Sequence, residues 1–403
     1  MKKVLLFGAG KIGRSFIGQL FSRGGYEVVF VDIYKELIDA INVKRSYPVT
    51  IKSDQGEEIL IIKNVRGLYL TDHDQIIDEM RTTSYLATAV GQSNLPDIIP
   101  LIAKGIKNKL SGEIHTPTDI IIAENFRNAS AYMREQLLQY FTSDQIDAYI
   151  GLVETSIGKM VPIMTNADLE KDITQVFAEP YNTLIVDKKG FINPLPNIPG
   201  LAPKENMKAW VDRKSFIHNL GHAAAAYYGY LKYPGYKFLF ELLADPDIKD
   251  FARSAMIQSG VILQKMYPAE FTHEHVVDHI EDLLIRFQNK NLGDTVFRVG
   301  MDLYRKLGKD DRLAGAIHHG LKFGIAYDKI LFALICGIYF RATDENGLPF
   351  PRDVQFAENL KNCGIGHILE NICGFDPSIH SDVLISSENY NIEVVTRFNI
   401  KTY

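Results

Sequence analysis

The chain reads as an α/β protein in which a doubly wound parallel sheet is followed by a mostly α-helical domain. Three observations predict this. A glycine-rich turn separates two apolar runs near the start, further short apolar runs recur to about residue 153, and beyond residue 205 apolar residues fall at three- and four-residue spacing. The first pattern is that of buried parallel strands and the last that of helices with one apolar face.

Taken in order, residues 4–7 form an apolar run, Gly8-Ala9-Gly10-Lys11-Ile12-Gly13 a turn, 15–23 an amphipathic helix, and 28–31 a second run ending at Asp32. Strand, glycine turn, helix and strand make a Rossmann-type unit with a ready dinucleotide site. Gly8 permits the tight turn, Gly10 lets the backbone approach a pyrophosphate, Gly13 lets helix and strand pack closely, and the helix start through Lys11 and Ile12 meets the phosphate charge. Asp32 stands nineteen residues beyond Gly13, where a carboxylate accepts from a ribose 2′-hydroxyl and repels a 2′-phosphate, so NAD is expected over NADP.

Apolar runs at 59–62, 85–90, 120–123 and 148–153 supply the remaining strands expected of the doubly wound sheet. Two of them end in polar or glycine residues, Val90-Gly91-Gln92 and Glu124-Asn125, and ligands bind at the carboxyl ends of parallel strands. Val90, Gly91 and Asn125 are therefore candidate contacts for cofactor or substrate, the alternative for Asn125 being an amide that satisfies loop backbone. Residues 190–203 hold four prolines and two glycines and read as the crossing between domains. Helical periodicity then covers 205–232, 236–244, 247–266, 273–289, 293–307, 310–324, 327–341, 352–362 and 365–373, with an alternating, strand-like pattern only at 390–398. The expected organisation is 1–200, 201–385 and a tail over 386–403.

The 403 residues, 46% hydrophobic and 23% charged, suit a soluble two-domain protein, and a net charge of −5 offers no basic field for nucleic acid. Cys336, Cys363 and Cys373 are widely spaced and odd in number, as for buried thiols of a reducing compartment, which points to the cytoplasm. The apolar run after Lys2-Lys3 is too short for an export signal, and no stretch reaches membrane-spanning length. Self-association is left open.

The chemistry-bearing stretch is 207–230, which places Lys214, Asn219 and His222 on one arc of a helix able to face a cleft. A desolvated lysine is a usable base near neutral pH without a metal, and an amide and an imidazole can hold the oxygen that loses its proton. Ordinary helix packing is the competing explanation of the three. A second cluster, Arg298, Arg305, Lys306 and Arg312, sets Arg298 and Arg305 seven residues apart on one expected helical face, suited either to a phosphate or carboxylate or to plain solvation. The segment HEHVVDH at 273–279 lacks the order of a zinc motif and reads, like His318-His319, as surface helix.

Several stretches, FGAGKIGRSFIG at 7–18, SYPVTI at 46–51, TAVG at 88–91, IIAENF at 121–126, LPNIPG at 195–200, the spaced Lys214, Asn219 and His222, and RVGMDLYRKLGKDDRL at 298–313, resemble the polyol-specific long-chain dehydrogenases, most of all the mannitol-1-phosphate 5-dehydrogenases. The resemblance implies metal-independent, NAD-dependent oxidation of a secondary alcohol in an open-chain polyol or polyol phosphate, with Lys214 as general base and Asn219, His222 and Asn125 on the substrate oxygens. Two positions depart from the pattern: Gly158-Lys159 stands where the family usually has Asp-Arg, and Met301 where a second arginine is typical. Both touch the substrate end, which leaves a reductase of keto-sugar acids such as tagaturonate or fructuronate, and a dinucleotide-binding sensor, as the alternatives to a hexitol-phosphate dehydrogenase.

Overall fold

The computed structural model describes residues 2–53, 55–112 and 115–400, so residues 401–403 of the expected tail lie outside the described residues. The chain forms two compact units, Met1–Val211 and Asp212–Tyr403.

Among its described residues the first unit carries eleven strands: β1 (Lys3–Phe7), β2 (Glu27–Asp32), β3 (Ser46–Ser53), β4 (Gly56–Lys63), β5 (Val65–Tyr69), β6 (Tyr85–Thr88), β7 (Thr118–Ile122), β8 (Ile150–Ser156), β9 (Val176–Ala178), β10 (Leu184–Asp187) and β11 (Leu201–Lys204). Eight form the main sheet in the order β11-β10-β8-β7-β6-β1-β2-β5, and the remaining three a small sheet, β4-β3-β9. Pairing in the main sheet is parallel except between β8 and β10. Side chains alternate across a strand, so Val4 and Leu6 of β1 enter one core and Leu5 and Phe7 the other. A strand covered on both faces has no polar side, which is why the run is continuously apolar.

Two expectations change here. The run at 59–62 belongs to β4 of an antiparallel hairpin with β3 and not to the doubly wound sheet; its mostly exposed side chains lack the two-sided cover of a central strand. Residues 201–211 fall in the first unit because β11 pairs with β10, although the proline-rich stretch before them reads as the crossing.

The second unit is built from helices, chiefly Leu220–Lys232, Pro246–Met266, His273–Phe287, Ala314–Phe323, Asp328–Ile338, Pro351–Asn371 and Ser381–Arg397. Ala223–Ala226 are fully buried, and a side chain on Gly221 or Gly337 would collide with Met256 or Tyr227, so small residues set how closely these helices approach. The strand-like pattern at 390–398 lies in the helix Ser381–Arg397, which buries Val383, Ser387 and Val394 at helical spacing; tertiary packing overrides the local β-branched run. His318 and His319 are packed and not surface groups: His318 Nε2 lies 2.9 Å from the Cys373 carbonyl, and His319 meets Phe216. Cys336 and Cys373 are buried as expected, whereas Cys363 is exposed beside the kink at Gly364. Among the described residues no helix is long and apolar enough to cross a membrane.

Gly8 has φ +101°, and a Cβ there would stand 2.4 Å from the Ala89 carbonyl oxygen, while a Cβ on Gly10 meets open space. Gly8→Ala should therefore cost about 2 kcal/mol or more in urea unfolding and Gly10→Ala almost nothing; equal midpoints for the two variants would refute this account of the turn.

Candidate active site

In the first unit, the glycine turn is fastened on both sides of one peptide. The Ala9 amide donates to Asp32 Oδ2 at 2.6 Å, and the Ala9 carbonyl accepts from Arg14 Nε at 2.7 Å. The second oxygen of Asp32 accepts from the Tyr34 amide at 2.9 Å, so the acid at the end of β2 is aimed by backbone. Gly13 has no room for a side chain because the Gly8 carbonyl oxygen would lie 2.0 Å from its Cβ. The three glycines thus differ in what they require: a positive φ at Gly8, a close backbone approach at Gly13 and open space at Gly10. Lys11 is exposed and Ile12 half-buried at the helix start.

Arg14 is a bracing residue of the turn that the motif itself did not single out. Its buried guanidinium also donates to the carbonyls of Thr174 at 2.6 Å and Gln175 at 3.1 Å, and burial draws its pKa below the usual guanidinium value. It ties the turn to the segment before β9 and puts a fixed positive charge behind the glycine turn. The buried Glu124 is a second such residue: its two oxygens accept from the Val90 and Gly91 amides, each at 2.9 Å. Burial raises its pKa, while the two amides act to lower it. The amides of Val90 and Gly91 are therefore engaged by Glu124, and Asn94 donates to the Val90 carbonyl at 2.8 Å. Asn125 follows Glu124 as an exposed residue.

In the second unit, Lys214–Asn219 is a π-helical turn leading into the helix Leu220–Lys232, with the Leu220 amide reaching back to the Ser215 carbonyl. A π turn closes over five residues, so it sets Asn219 above Lys214 more nearly than regular helical spacing would. Between Asp212 and Gly229 only Arg213, Lys214, Asn219 and His222 escape full burial, which gives the three expected residues a common partly open face.

Burial, reinforced by the neighbouring Arg312 charge, brings the Lys214 pKa down to about 8. Burial holds His222 well below the imidazole range, helped by Arg298, Arg312 and Lys306, and its ring stacks on Phe287 at 4.2 Å. The second unit thus collects Lys214, His222, Arg298, Lys306 and Arg312 around one region. Lys306 is buried, with Nζ donating to the Val299 carbonyl at 2.7 Å and the Arg298 carbonyl at 3.3 Å, so it braces the turn beneath Arg298. Arg312 is buried beside Asp311, with Nε donating at 2.7 Å.

Arg305 does not share a helical face with Arg298. The segment breaks into Val296–Gly300 and Leu303–Lys306, with Asp302 between them at φ +72°. Asp353 holds the break by accepting from the Asp302 and Leu303 amides at 2.9 and 2.8 Å. Arg305 is left exposed, paired with Asp302 and Asp311.

Asp294 is the anion that faces both Arg298 and His222, and it was not among the expected site residues. It is buried and ion-paired with Arg298, and its Oδ2 lies 3.3 Å from His222 Nε2. Its neighbour Thr295 caps the following helix, whose pattern gives no hint of an acid turned inward. His279 is also turned inward, contrary to the surface expectation for 273–279, while His275 stays exposed. Among the described residues no group of three or more His, Cys, Asp or Glu side chains is arranged to hold a metal ion.

Comparison with known proteins agrees with this architecture. Residues 2–200 match the mannitol dehydrogenase Rossmann domain and residues 206–370 the mannitol dehydrogenase C-terminal domain. Among solved structures, the chain is similar to Pseudomonas fluorescens mannitol 2-dehydrogenase in a ternary complex with NAD and D-mannitol, with a TM-score of 0.76 and 17% identity over 99% of this chain and 94% of that one. It is likewise similar to a substrate-free D-sorbitol dehydrogenase, with a TM-score of 0.79 and 13% identity over 98% and 95% of the two chains. At these identities the likeness concerns the fold.

An acid facing His222 Nε2 should hold the imidazole proton on that nitrogen and leave Nδ1 as an acceptor. Imidazole nitrogen NMR of the full chain should show His222 as the Nε2–H tautomer, with Asp294→Ala shifting it to a mixture; an unchanged tautomer in the variant would remove Asp294 from this role.

Proposed function

Because the chain belongs to the mannitol dehydrogenase family, we propose that it is an NAD-dependent polyol dehydrogenase whose substrate is a hexitol phosphate, mannitol 1-phosphate, interconverted with fructose 6-phosphate. The observation that carries this reading is Lys214, a lysine brought down to about 8 beside arginines of the same unit. The glycine turn, with its opening at Gly10 and the aimed carboxylate of Asp32, fits the dinucleotide.

NAD, when bound, supplies the hydride acceptor. The chain's own groups handle the proton and the charge. Lys214, unprotonated in part near neutral pH, takes the hydroxyl proton as the carbon–hydrogen bond breaks, so the alcohol loses a hydride and a proton and becomes a ketone. Asn219 donates to the oxygen as its charge develops, with Asn125 assigned the same role on the resemblance of its motif. Neutral His222, with Nδ1 free to accept, takes a neighbouring substrate hydroxyl. Arg298 and Arg312 offer forked donors to the phosphate, and Lys306 braces Arg298 through its hydrogen bonds to the Arg298 and Val299 carbonyls. No metal is needed for the proton step when the base is a desolvated amine.

The same forked donors suit a carboxylate, which keeps reduction of a keto-sugar acid as the second reading. A panel assayed with NADH decides between them: fructose 6-phosphate should be reduced faster than fructose, fructuronate or tagaturonate, and a preference for either hexuronate would overturn the phosphate assignment. Absence of turnover on every polyol and keto sugar, with NADH binding retained, would favour the sensor instead.

Alcohol oxidation needs Lys214 unprotonated, so its rate should rise with pH through about 8 and then level, while ketone reduction should fall over the same interval. Lys214→Ala should abolish this limb and lower turnover by about 10²-fold or more with NADH affinity kept; a retained limb would exclude Lys214 as the base. Asp32→Ala should relax discrimination against NADPH, and unaltered discrimination would undo the ribose assignment.

A further inference from the structure

The small sheet of the first unit ends in an open edge. β4 pairs on one side only, with β3, in an unbroken register from Ser46↔Lys63 to Ser53↔Gly56. An eight-residue edge without proline or bulge presents a row of backbone donors and acceptors of the kind folded proteins usually shorten, twist away or cover. Its side chains are divided by face: Leu60 and Ile62 turn to the core, while Ile59 and Ile61 are 63% and 54% exposed. Exposed Glu57 and Lys63 flank the two isoleucines on the outer face.

We propose that this edge is a dimer contact, in which β4 pairs antiparallel with β4 of a second copy of the chain about a two-fold axis through Leu60. The sequence of the strand is self-complementary in that register. Glu57 comes opposite Lys63, Ile59 opposite Ile61, and each pair occurs twice by symmetry. Sliding by two residues sets Glu57 against Ile61 or Ile59 against Lys63 and loses the charge match. A slip of one residue sets the outer face of one strand against the core face of the other. Glu57 already lies 3.0 Å from Lys52 across the hairpin, so the second copy's lysine extends a row of alternating charge. At the far end Ser22 Oγ donates to the Lys63 carbonyl at 2.6 Å, which leaves that oxygen a second lone pair for the pairing.

The contact closes on itself. Both β4 edges are consumed, and the opposite edge of the small sheet, β9, is fully buried, so two three-stranded sheets become one of six strands and growth stops there. The edge is small beside a standard interface of about 1,600 Å², so the dimer is reversible and its population rises with concentration.

Light scattering and sedimentation of the full chain at rising concentration test this. Wild type should move from one to two chain masses. Glu57→Lys, which sets lysine against Lys63 twice, should weaken association by roughly tenfold or more, and Glu57→Lys combined with Lys63→Glu should restore it. Leu60→Cys, made with Cys363→Ser, should form a disulfide-linked dimer on oxidation because only the residue on the axis faces itself. NADH binding checks that each variant is folded. A monomer at every concentration, an open series of larger species, a dimer indifferent to Glu57→Lys, failure of the double reversal to restore pairing, or failure of Leu60→Cys to cross-link would each overturn the proposal.

Discussion

The interaction on which the candidate site depends is the desolvation of one amine. Lys214 sits on a helix whose remaining faces are buried, and loss of water makes its charged form costly. A second cation, Arg312, pushes the same way, and the two effects together place the amine where it exchanges protons near neutral pH. The π turn has a physical part in this. Widening the helix by one residue per turn brings Asn219 over Lys214 and leaves the intervening Ser215–His218 turned into the core.

A region crowded with cations needs an anion, or its charges drive one another out. Asp294 is that anion, buried between Arg298 and His222. Without it, Arg298 loses its partner and His222 the acid that faces its Nε2; with it, the arginine is held and stays half-exposed. Lys306 meets the same crowding differently, buried with backbone carbonyls as acceptors, and it is held well below the lysine range. The three groups are held in different ways: Arg298 by an acid, Lys306 by backbone carbonyls, and Lys214 by burial beside Arg312.

How legible this was follows from the distance over which each feature is determined. The glycine turn was readable because its geometry depends on residues within one strand, one turn and one helix, and the structure gives Gly8 a positive φ, Gly13 a close backbone approach and Gly10 open space. The helices of the second unit were readable from periodicity. The face shared by Arg298 and Arg305 was misread because the break between them is held by Asp353, about fifty residues away, and local spacing carries no trace of it. Asp294 and Arg14 escaped for a similar reason: each is a common surface residue type, and only burial among distant backbone and side chains reveals a task. The hairpin at 46–63 and the helix at 381–397 were misjudged because short apolar runs look alike until their neighbours are known.

The two departures from the family pattern carry unequal weight once the geometry is considered. A side chain on Gly158 would meet Tyr181 at ordinary contact distance, 3.5 Å, so nothing steric requires glycine there and its effect is the loss of a carboxylate. Met301 stands at the end of the short helix Val296–Gly300, just before the left-handed Asp302, where the chain changes direction. A cation at that turn would leave the helix axis on which Arg298 lies and approach a ligand from another side. With methionine in its place, the proposed recognition of an anionic substrate end rests on Arg298 and Arg312, which differ in kind: one is half-exposed and held by Asp294, the other buried beside Asp311. An anion bound as proposed is then met by one half-exposed and one buried fork, an arrangement open to either a tetrahedral phosphate or a planar carboxylate. In the proposed reaction Lys214 selects the bond that is oxidised, and the choice between those two anions falls to Arg298, the more exposed of the two arginines.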